Sequence, residues 1–211
     1  MNYKLLFRGF LALFVGAALL WAGEPWKEKP YTEWTKDEVK LVFTDSPWAH
    51  LYIDSRAHAV LGAMRADAEG TVQWASALTV RQAIVRQKQL QGSHDPGEAA
   101  RFLSAVPADH VILVYGPSAR LFEWLTEQVA RDAARLKLKR AKREIPAASV
   151  RYIWGDVKIA AAEFRFPRAT DGESTIPVDE ETATFVCRIS NIAISVQFDL
   201  RKMVRDGKPD L

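Results

Sequence analysis

The sequence has little cysteine and little net charge. Cys187 is the single cysteine among 211 residues, which excludes an internal disulfide framework and Cys-rich zinc ribbons. Lysine and arginine total 29 against 26 aspartates and glutamates, a formal charge of +3 that is too small to indicate a nucleic-acid-binding protein. We therefore expect neither a disulfide-stabilised miniprotein nor a protein that binds nucleic acid.

The residues that are present have the composition of an ordinary globular protein. Apolar residues make up 48% of the chain and charged residues 26%, close to the averages for soluble domains. A length of 211 residues allows one domain, or one domain with an appendage. Disorder along the whole chain, a collagen-like fibre and a coiled coil are excluded.

The N-terminus carries the most specific signal in the chain. Lys4 and Arg8 are followed by an uninterrupted apolar run over residues 9–22, which is the layout of a secretory signal peptide. The run is shorter than the ~20 apolar residues that a bilayer span needs. We predict that residues 1–22 are a signal peptide cleaved after Ala22, and that the protein is exported to the periplasm or the extracellular space. The alternative is an uncleaved leader that anchors the protein in the inner membrane.

The rest of the chain divides into an N-terminal segment, residues 23–34, and a single domain, residues 35–211. Thr35 and Glu38 form a capping-box pattern, which predicts a short helix that begins there. Apolar residues at three- and four-residue spacing predict further helices. These are expected at 77–91, at 98–105 and, as the longest helix of the chain, at 119–139.

Alternating and β-branched apolar residues predict strands. In the strand expected over 48–54, Leu51 and Ile53 would face the core. The apolar run 110–115 predicts a central strand that is covered on both faces. Together the elements predict an α+β fold with a mostly antiparallel sheet and helices packed on one face. The remaining strands are expected at 71–76, after residue 157, and in a hairpin of 182–189 with 192–200.

Two stretches of the chain resemble a known group of proteins. They consist of Trp26, Lys29, Tyr31 and Trp34 followed by Ser46-Pro47-Trp48-Ala49, and of Asp199-Leu200-x-Lys202-Met203-Val204. Together they resemble an uncharacterised family of exported bacterial proteins, and the helix led by Trp34 is also similar to the GWxTD-type domain. The resemblance implies export and a single domain, and it brings no known activity.

The four histidines are the candidate metal ligands. His50, Asp54 and His58 recur every four residues, a spacing that would put three ligands on one face of a helix. Because the predicted strand ends before His58, we expect solvated polar side chains here, as at the loop pair 94–95. His110 at the start of a buried strand is expected to close one end of the core. No metal and no cofactor is predicted.

Cys187 is a candidate nucleophile only if a base lies nearby and its pKa is lowered. The predicted strand places Ala183, Phe185 and Ile189 on the same face as Cys187. A thiol among apolar neighbours packs as a small hydrophobic side chain. We therefore predict an inert core thiol.

The turn Gly116-Pro117-Ser118 is a candidate binding site. It follows a predicted strand and opens a predicted helix, where free N–H groups and the helix dipole favour an anion. The turn lacks the glycines and the lysine of a phosphate-binding loop, and Ser118 as a helix N-cap explains it without a ligand. A small hydrolase or a ligand-binding protein that uses Gly116 and Ser118 with His50 or His110 is one alternative function.

A basic run, residues 135–143, ends the predicted long helix. Cations at that position suit the negative end of the helix and a solvated surface. The alternative is a peripheral membrane-surface protein that binds anionic envelope surfaces, such as phospholipid headgroups, through this run. Its basic residues are Arg135, Lys137, Lys139, Arg140, Lys142 and Arg143.

Tryptophan is abundant, with seven in the chain. Trp26, Trp34 and Trp48 cluster with Tyr31 in sequence around the N-terminal segment. These residues either staple that segment onto the domain or present an aromatic docking surface, and we favour the staple. The other tryptophans in predicted elements, which are expected to be fully or half buried in the core, are Trp74, Trp124 and Trp154.

These observations favour a protein without catalytic activity. An enzyme needs a nucleophile, a base and an oxyanion donor in one cleft, and no such set is predicted. We expect an exported interaction or accessory module of the cell envelope. Its partner would be an envelope protein or an anionic envelope surface, with membrane contact only through the leader or the basic run.

Overall fold

A computed structural model describes residues 23–53, 69–189 and 192–211 of the chain, so the predicted signal peptide lies outside the described residues. Within these ranges the chain forms two main antiparallel sheets, two short hairpins and several helices. No helix within them is both long enough and apolar enough to cross a bilayer.

The helices agree with the sequence except in one region. The predictions at 77–91 and 98–105 are confirmed by helices at Leu78–Leu90 and Pro96–Ser104. The predicted capping box is also present, because Glu38 N donates to Thr35 Oγ1 over 3.3 Å and Thr35 N donates to the Glu38 carboxylate over 2.7 Å. The α-helices are α1 (Pro25–Glu28), α2 (Lys36–Thr44), α3 (Leu78–Leu90), α4 (Pro96–Ser104) and α5 (Glu127–Ala133), and 3₁₀ helices span Tyr31–Glu33 and Pro117–Phe122.

The strands form two main sheets and two short hairpins. They are β1 (Ala49–Ile53), β2 (Glu69–Trp74), β3 (Asp109–Tyr115), β4 (Ala134–Leu138), β5 (Arg143–Pro146), β6 (Ser149–Trp154), β7 (Ile159–Pro167), β8 (Ala169–Thr170), β9 (Glu173–Ser174), β10 (Thr182–Ile189), β11 (Ile192–Asp199), β12 (Val204–Arg205) and β13 (Lys208–Pro209). The first sheet has the order β1-β2-β3-β7-β6 and the second β11-β10-β4-β5. As predicted, β3 lies at the centre of its sheet, and β10 pairs with β11 as an antiparallel hairpin.

The predicted helix over residues 119–139 is wrong. The chain forms instead a 3₁₀ helix, a turn, the short helix α5 and strand β4. Residues 134–138 alternate buried apolar side chains with half-exposed basic ones, which is the period of a strand. Because β4 pairs with both β10 and β5, this alternation outweighs helix propensity. Helix α5 begins after Thr126, whose Oγ1 accepts a hydrogen bond from Val129 N.

The core lies between the inner faces of the two sheets. Phe164 of β7 packs on Phe185 of β10 with ring centroids 5.1 Å apart, and Trp74 of β2 packs on Phe198 of β11 at 5.3 Å. All four rings are fully buried. Phe122 joins them from the 3₁₀ helix, 5.5 Å from Phe164. These edge-to-face contacts hold the two sheets together.

Helices α2 and α3 pack against each other over the outer face of the first sheet. The Tyr115 hydroxyl of β3 donates to the Phe43 carbonyl oxygen of α2. Ile84 of α3 and Leu113 of β3 line the same groove beside this contact. The predicted α+β fold, a mostly antiparallel sheet with helices packed on one face, is confirmed.

Three apolar residues that were expected in the core are exposed. Leu51 is 61% exposed, whereas its neighbour Tyr52 is buried. The inner face of β1 carries His50 and Tyr52, and the His50 ring lies 5.1 Å from a core phenylalanine, so the strand has the opposite phase to the predicted one. Trp124 and Trp154 are 91% and 63% exposed, because the first lies in a turn and the second at the end of an edge strand.

The C-terminal residues connect elements that are distant in sequence. The Asp210 carboxylate accepts the backbone N–H groups of Leu78 and Thr79 over 2.5 and 3.0 Å, at the start of α3. The helix's own N-cap residue, Ala77, has no side chain that could do this. The Asp210 carbonyl oxygen also accepts a hydrogen bond from Trp48 Nε1 over 2.7 Å. One residue therefore both caps a helix and orients a core tryptophan.

The N-terminal aromatic residues are packed as a staple would be. Trp34 and Trp48 are fully buried, and Trp26 and Tyr31 pack against the core with part of their surface exposed. Trp34 Nε1 donates to the carbonyl oxygen of Pro25 over 3.1 Å. The Trp26 and Trp48 rings meet edge to face with centroids 5.6 Å apart. The N-terminal segment thus contributes to the hydrophobic core.

Two titratable side chains are buried in the core. Cys187 of β10 is fully buried, and burial raises the pKa of its thiol to about 12. His110 at the start of β3 is 3% exposed, and its ring lies 5.4 Å from that of Trp74. Burial, followed by the charge of Arg168, lowers the pKa of His110 to about 3. These positions agree with the predicted core thiol and the predicted histidine at one end of the core.

Replacing Trp34 by alanine should lower the free energy of unfolding by ~3–5 kcal/mol, because it removes a fully buried indole and leaves a cavity. The matched control is Trp124→Ala, which removes the same side chain from an exposed turn and should change stability by less than about 1 kcal/mol. Urea unfolding of the two variants and the wild type measures both effects. Equal losses in the two variants would contradict the staple.

Cys187 should not react with a thiol reagent at pH 8 while the protein is folded. A buried thiol with a raised pKa supplies neither access nor thiolate. The labelling reaction, monitored by absorbance, should therefore begin only when denaturant unfolds the chain. Rapid stoichiometric labelling in buffer would show that the side chain is not in the core.

Protonation of His110 should destabilise the folded state below pH 6.5. The unfolded side chain binds a proton near its ordinary pKa of about 6.5, and the folded one only near 3. The neutral His110 ring therefore leaves the free energy of unfolding at its full value above pH 6.5. As the pH falls towards 3, that free energy decreases by about 1.4 kcal/mol per pH unit. Urea unfolding between pH 6.5 and 4.5 should show this slope in the wild type and a flatter one in His110→Phe. Parallel slopes would rule the effect out.

Candidate functional site

The residues considered as metal ligands do not form a described site. His50 lies on β1, but Asp54 and His58 lie outside the described residues. Nowhere in ranges 23–53, 69–189 and 192–211 do three His, Cys, Asp or Glu side chains group as a metal site requires. In the loop pair 94–95, Asp95 acts as the N-cap of α4, accepting a hydrogen bond from Gly97 N over 2.7 Å.

The Gly116-Pro117-Ser118 turn has a different geometry from the predicted one. Ser118 is not an N-cap: Gly116, with a φ of +87°, precedes a 3₁₀ helix that contains Ser118. The Ser118 side chain is fully buried, and a Cβ atom added at Gly70 would lie only 1.7 Å from its Oγ. His110 lies at the start of β3 and Ser118 lies beyond its other end, so most of a seven-residue strand about 23 Å long separates them. They cannot act on one substrate.

The basic run lies on β4, β5 and the turn between them, instead of on a helix. Several of its cations already have partners in the fold. Lys137 pairs with Glu144 at 2.6 Å, and Arg140 pairs with Asp179 at 3.0 Å. Arg143 donates to the main-chain oxygens of residues 174 and 175. Among the described residues no ion pair is found for Arg135, Lys139, Lys142 or Arg143, so two of the six cations are ion-paired and the run remains a solvated, basic hairpin.

One group of exposed apolar side chains was not predicted from the sequence. Trp124, Trp154 and Val157 lie on two chain segments that contact each other, and we call the three residues the tryptophan patch. Val157 is 89% exposed, and the two indoles are the exposed side chains described above. Large apolar groups grouped on a surface mark interaction sites more often than single exposed residues do.

Direct contacts join the two chain segments that carry the patch. Tyr152 N donates to the Glu127 carboxylate over 2.7 Å, and the Tyr152 hydroxyl donates to the Thr126 carbonyl oxygen over 3.2 Å. Trp124 lies two residues before Thr126, and Trp154 lies two residues after Tyr152. The two tryptophans are therefore at the margins of one contact between the start of α5 and the end of β6.

Both segments are fixed to the core beneath the patch. The Phe122 ring lies 6.0 Å from that of Tyr152, and Leu125 packs against the core directly beside Trp124. In the loop between β6 and β7, Gly155 N donates to the Lys158 carbonyl oxygen over 2.8 Å. The exposed side chains thus project from anchored turns, which reduces the entropy that a partner must overcome to bind them.

The charges around the patch are nearly balanced. Arg120 Nε lies 3.9 Å from Glu123 Oε1. Asp156 and Lys158 belong to the loop that carries Val157. One carboxylate oxygen of Glu127 is engaged by the Tyr152 N–H. The patch is therefore an apolar surface with a mixed polar margin and no excess of positive charge.

Two local signals in the sequence point to this patch. Thr126 is a good N-cap residue, so a helix that begins there leaves Trp124 in the preceding turn. Gly155-Asp156 is a turn signal, which ends the strand at Trp154. The prediction of one long helix over 119–139 concealed the first signal and placed Trp124 in the core.

Comparisons with protein-family models, with curated proteins and with solved structures gave no match for this chain. The resemblance to exported bacterial proteins therefore stays a prediction from the quoted motifs. The candidate site stands on its geometry: two exposed tryptophans and a valine on two anchored segments, the turn before α5 and the end of β6 with its following loop, which contact each other.

Proposed function

We propose that the protein is an exported accessory module of the cell envelope that binds an envelope protein through the tryptophan patch. The observation that carries this proposal is Trp124, a tryptophan that is 91% exposed on a turn next to the contact between Thr126 and Tyr152, in the strand that ends at Trp154. An indole left in water adds nothing to folding. Burying one against a partner would remove ~150–250 Å² from water, at ~25 cal/mol per Å².

A protein partner suits the patch better than an anionic membrane surface. Tryptophan is enriched among the residues that dominate protein–protein binding energy, in apolar centres with polar margins. An anionic lipid surface would instead favour clustered cations. Near the patch, cations and acids are mixed, and Arg120 lies 3.9 Å from Glu123. The basic run at 135–143 is on a different hairpin, where Lys137 and Arg140 are ion-paired.

The described residues offer less support for a hydrolase at the Gly116–Ser118 turn. A serine nucleophile must reach its substrate and contact a base. Ser118 is fully buried, its Oγ has no hydrogen-bond partner in the described ranges, and His110 lies at the other end of β3. We therefore propose binding without catalysis.

Removing the patch should abolish binding without unfolding the protein. Residues 23–211 would be immobilised as the wild type, as Trp124→Ala, as Trp154→Ala and as the double variant. Solubilised envelope proteins from the source cells would then be passed over each of them. The matched control is Val178→Ala, since Val178 is 91% exposed on another loop. A defined protein should be retained by the wild type and the control, retained at least about tenfold less by each tryptophan variant, and lost from the double variant.

Three results would count against the proposal. Equal retention by all variants would place any partner elsewhere on the surface. Tryptophan-dependent binding to phosphatidylglycerol vesicles without a retained protein would favour a membrane surface. Tryptophan-dependent dimers in sedimentation would show that the patch is covered by a second copy of the chain.

A further inference from the structure

A separate cavity lies at the end of the core that His110 closes, away from the tryptophan patch. Its volume is about 460 Å³, which is within the range of small-molecule sites. Much of its wall is apolar, and most of the residues that line it belong to the C-terminal part of the chain, from residue 174 onwards. The apolar lining includes Ile176, Pro177, Leu200, Val204, Pro209 and Leu211.

Arg168 brings a positive charge to the wall of this cavity. Its Nη2 donates to the Leu211 main-chain oxygen, while its Nε is buried and finds no hydrogen-bond partner among the described residues. No aspartate or glutamate side chain in the described ranges forms an ion pair with Arg168. The Asp210 carboxylate, whose charge acts on Arg168, is bonded to two N–H groups of α3. A buried donor on a cation is costly to leave unpaired.

His110 brings a second unsatisfied polar atom to the same wall. The side chain is more than nine-tenths buried, and its Nδ1 is hydrogen-bonded to no described residue. The lowered pKa keeps the ring uncharged at neutral pH. A neutral imidazole can carry its proton on Nδ1 and donate it to an anion.

The other charged groups of the cavity are already engaged. The Glu180 carboxylate accepts the N–H groups of Arg140 and Ala141 over 3.0 and 2.9 Å. Arg201 donates to Asp199 over 2.9 and 3.0 Å and is exposed at the cavity margin. These pairings leave Arg168 as the cation that could receive a ligand and His110 as the neutral donor beside it.

We propose that this cavity binds a small organic carboxylate with an apolar tail. The carboxylate would accept hydrogen bonds from Arg168 Nε and from His110 in its Nδ1-protonated form. The tail would lie against Leu200, Val204 and the neighbouring apolar residues. A single guanidinium suits a monoanion better than a doubly charged phosphate, and the apolar wall suits an alkyl chain better than an inorganic ion.

Calorimetric titration of the wild-type chain with octanoate, 1-octanol and inorganic phosphate tests the proposal directly. Octanoate and octanol share the tail and differ in the head group. Octanoate should bind at least about ten times more tightly than octanol, because hydrogen bonds to a charged group are stronger than those to a neutral one. Phosphate should bind more weakly than either. Equal affinities of octanoate and octanol, tighter binding of phosphate, or no saturable binding of octanoate would each overturn the proposal.

Variants then locate the carboxylate. Arg168→Gln should weaken octanoate binding about tenfold and leave octanol binding unchanged. Arg201→Gln, at the margin of the same cavity, is the matched control and should change octanoate affinity by less than about twofold. Circular dichroism checks folding, and Arg168→Lys, which keeps the charge, replaces the glutamine variant if that variant does not fold. Unchanged octanoate affinity in folded Arg168→Gln would place the ligand elsewhere.

Discussion

The hydrogen bonds of Asp210 are the constraint on which the rest of the arrangement depends. Its carboxylate caps α3 through Leu78 and Thr79, and its carbonyl oxygen holds the Trp48 indole. These contacts span 131 to 162 residues of sequence. They fix helices α2 and α3 over one face of the first sheet, and they fix Trp48, with the N-terminal tryptophans that pack near it, at the edge of that sheet. They also hold the C-terminal segment in place as a wall of the cavity beside His110, so fold and cavity share one support.

The tryptophans divide by what surrounds them, and this division is the basis of the functional account. Trp34 and Trp48 donate hydrogen bonds to main-chain oxygens from inside the core, as buried indoles usually do. Trp124 lies on a turn and Trp154 at the end of β6, and Phe122, Leu125 and Tyr152 hold these two segments in place. Stability explains the first pair. It does not explain the second pair, whose apolar surface can be removed from water only by something that binds there.

The sequence predicted what local patterns determine. The Thr35–Glu38 capping box, helix α3 and the β10–β11 hairpin follow from neighbouring residues alone. The strand 134–138 and the phase of β1 depend on pairing with strands far along the chain, so local spacing misassigned both, and with them Leu51 and Trp124. The cavity could not be predicted for the same reason, because Arg168 and His110 line one cavity only after β3 and β7 have paired.

The central claim is that the tryptophan patch binds an envelope protein, and site-specific photocrosslinking in living cells tests it most directly. Benzoylphenylalanine would be placed in turn at positions 124 and 154, and at exposed position 178 as the reference. The account predicts the same discrete protein adduct from positions 124 and 154, in the envelope fraction, and none from position 178. An adduct of equal yield from all three positions, or no protein adduct from 124 and 154, would contradict it.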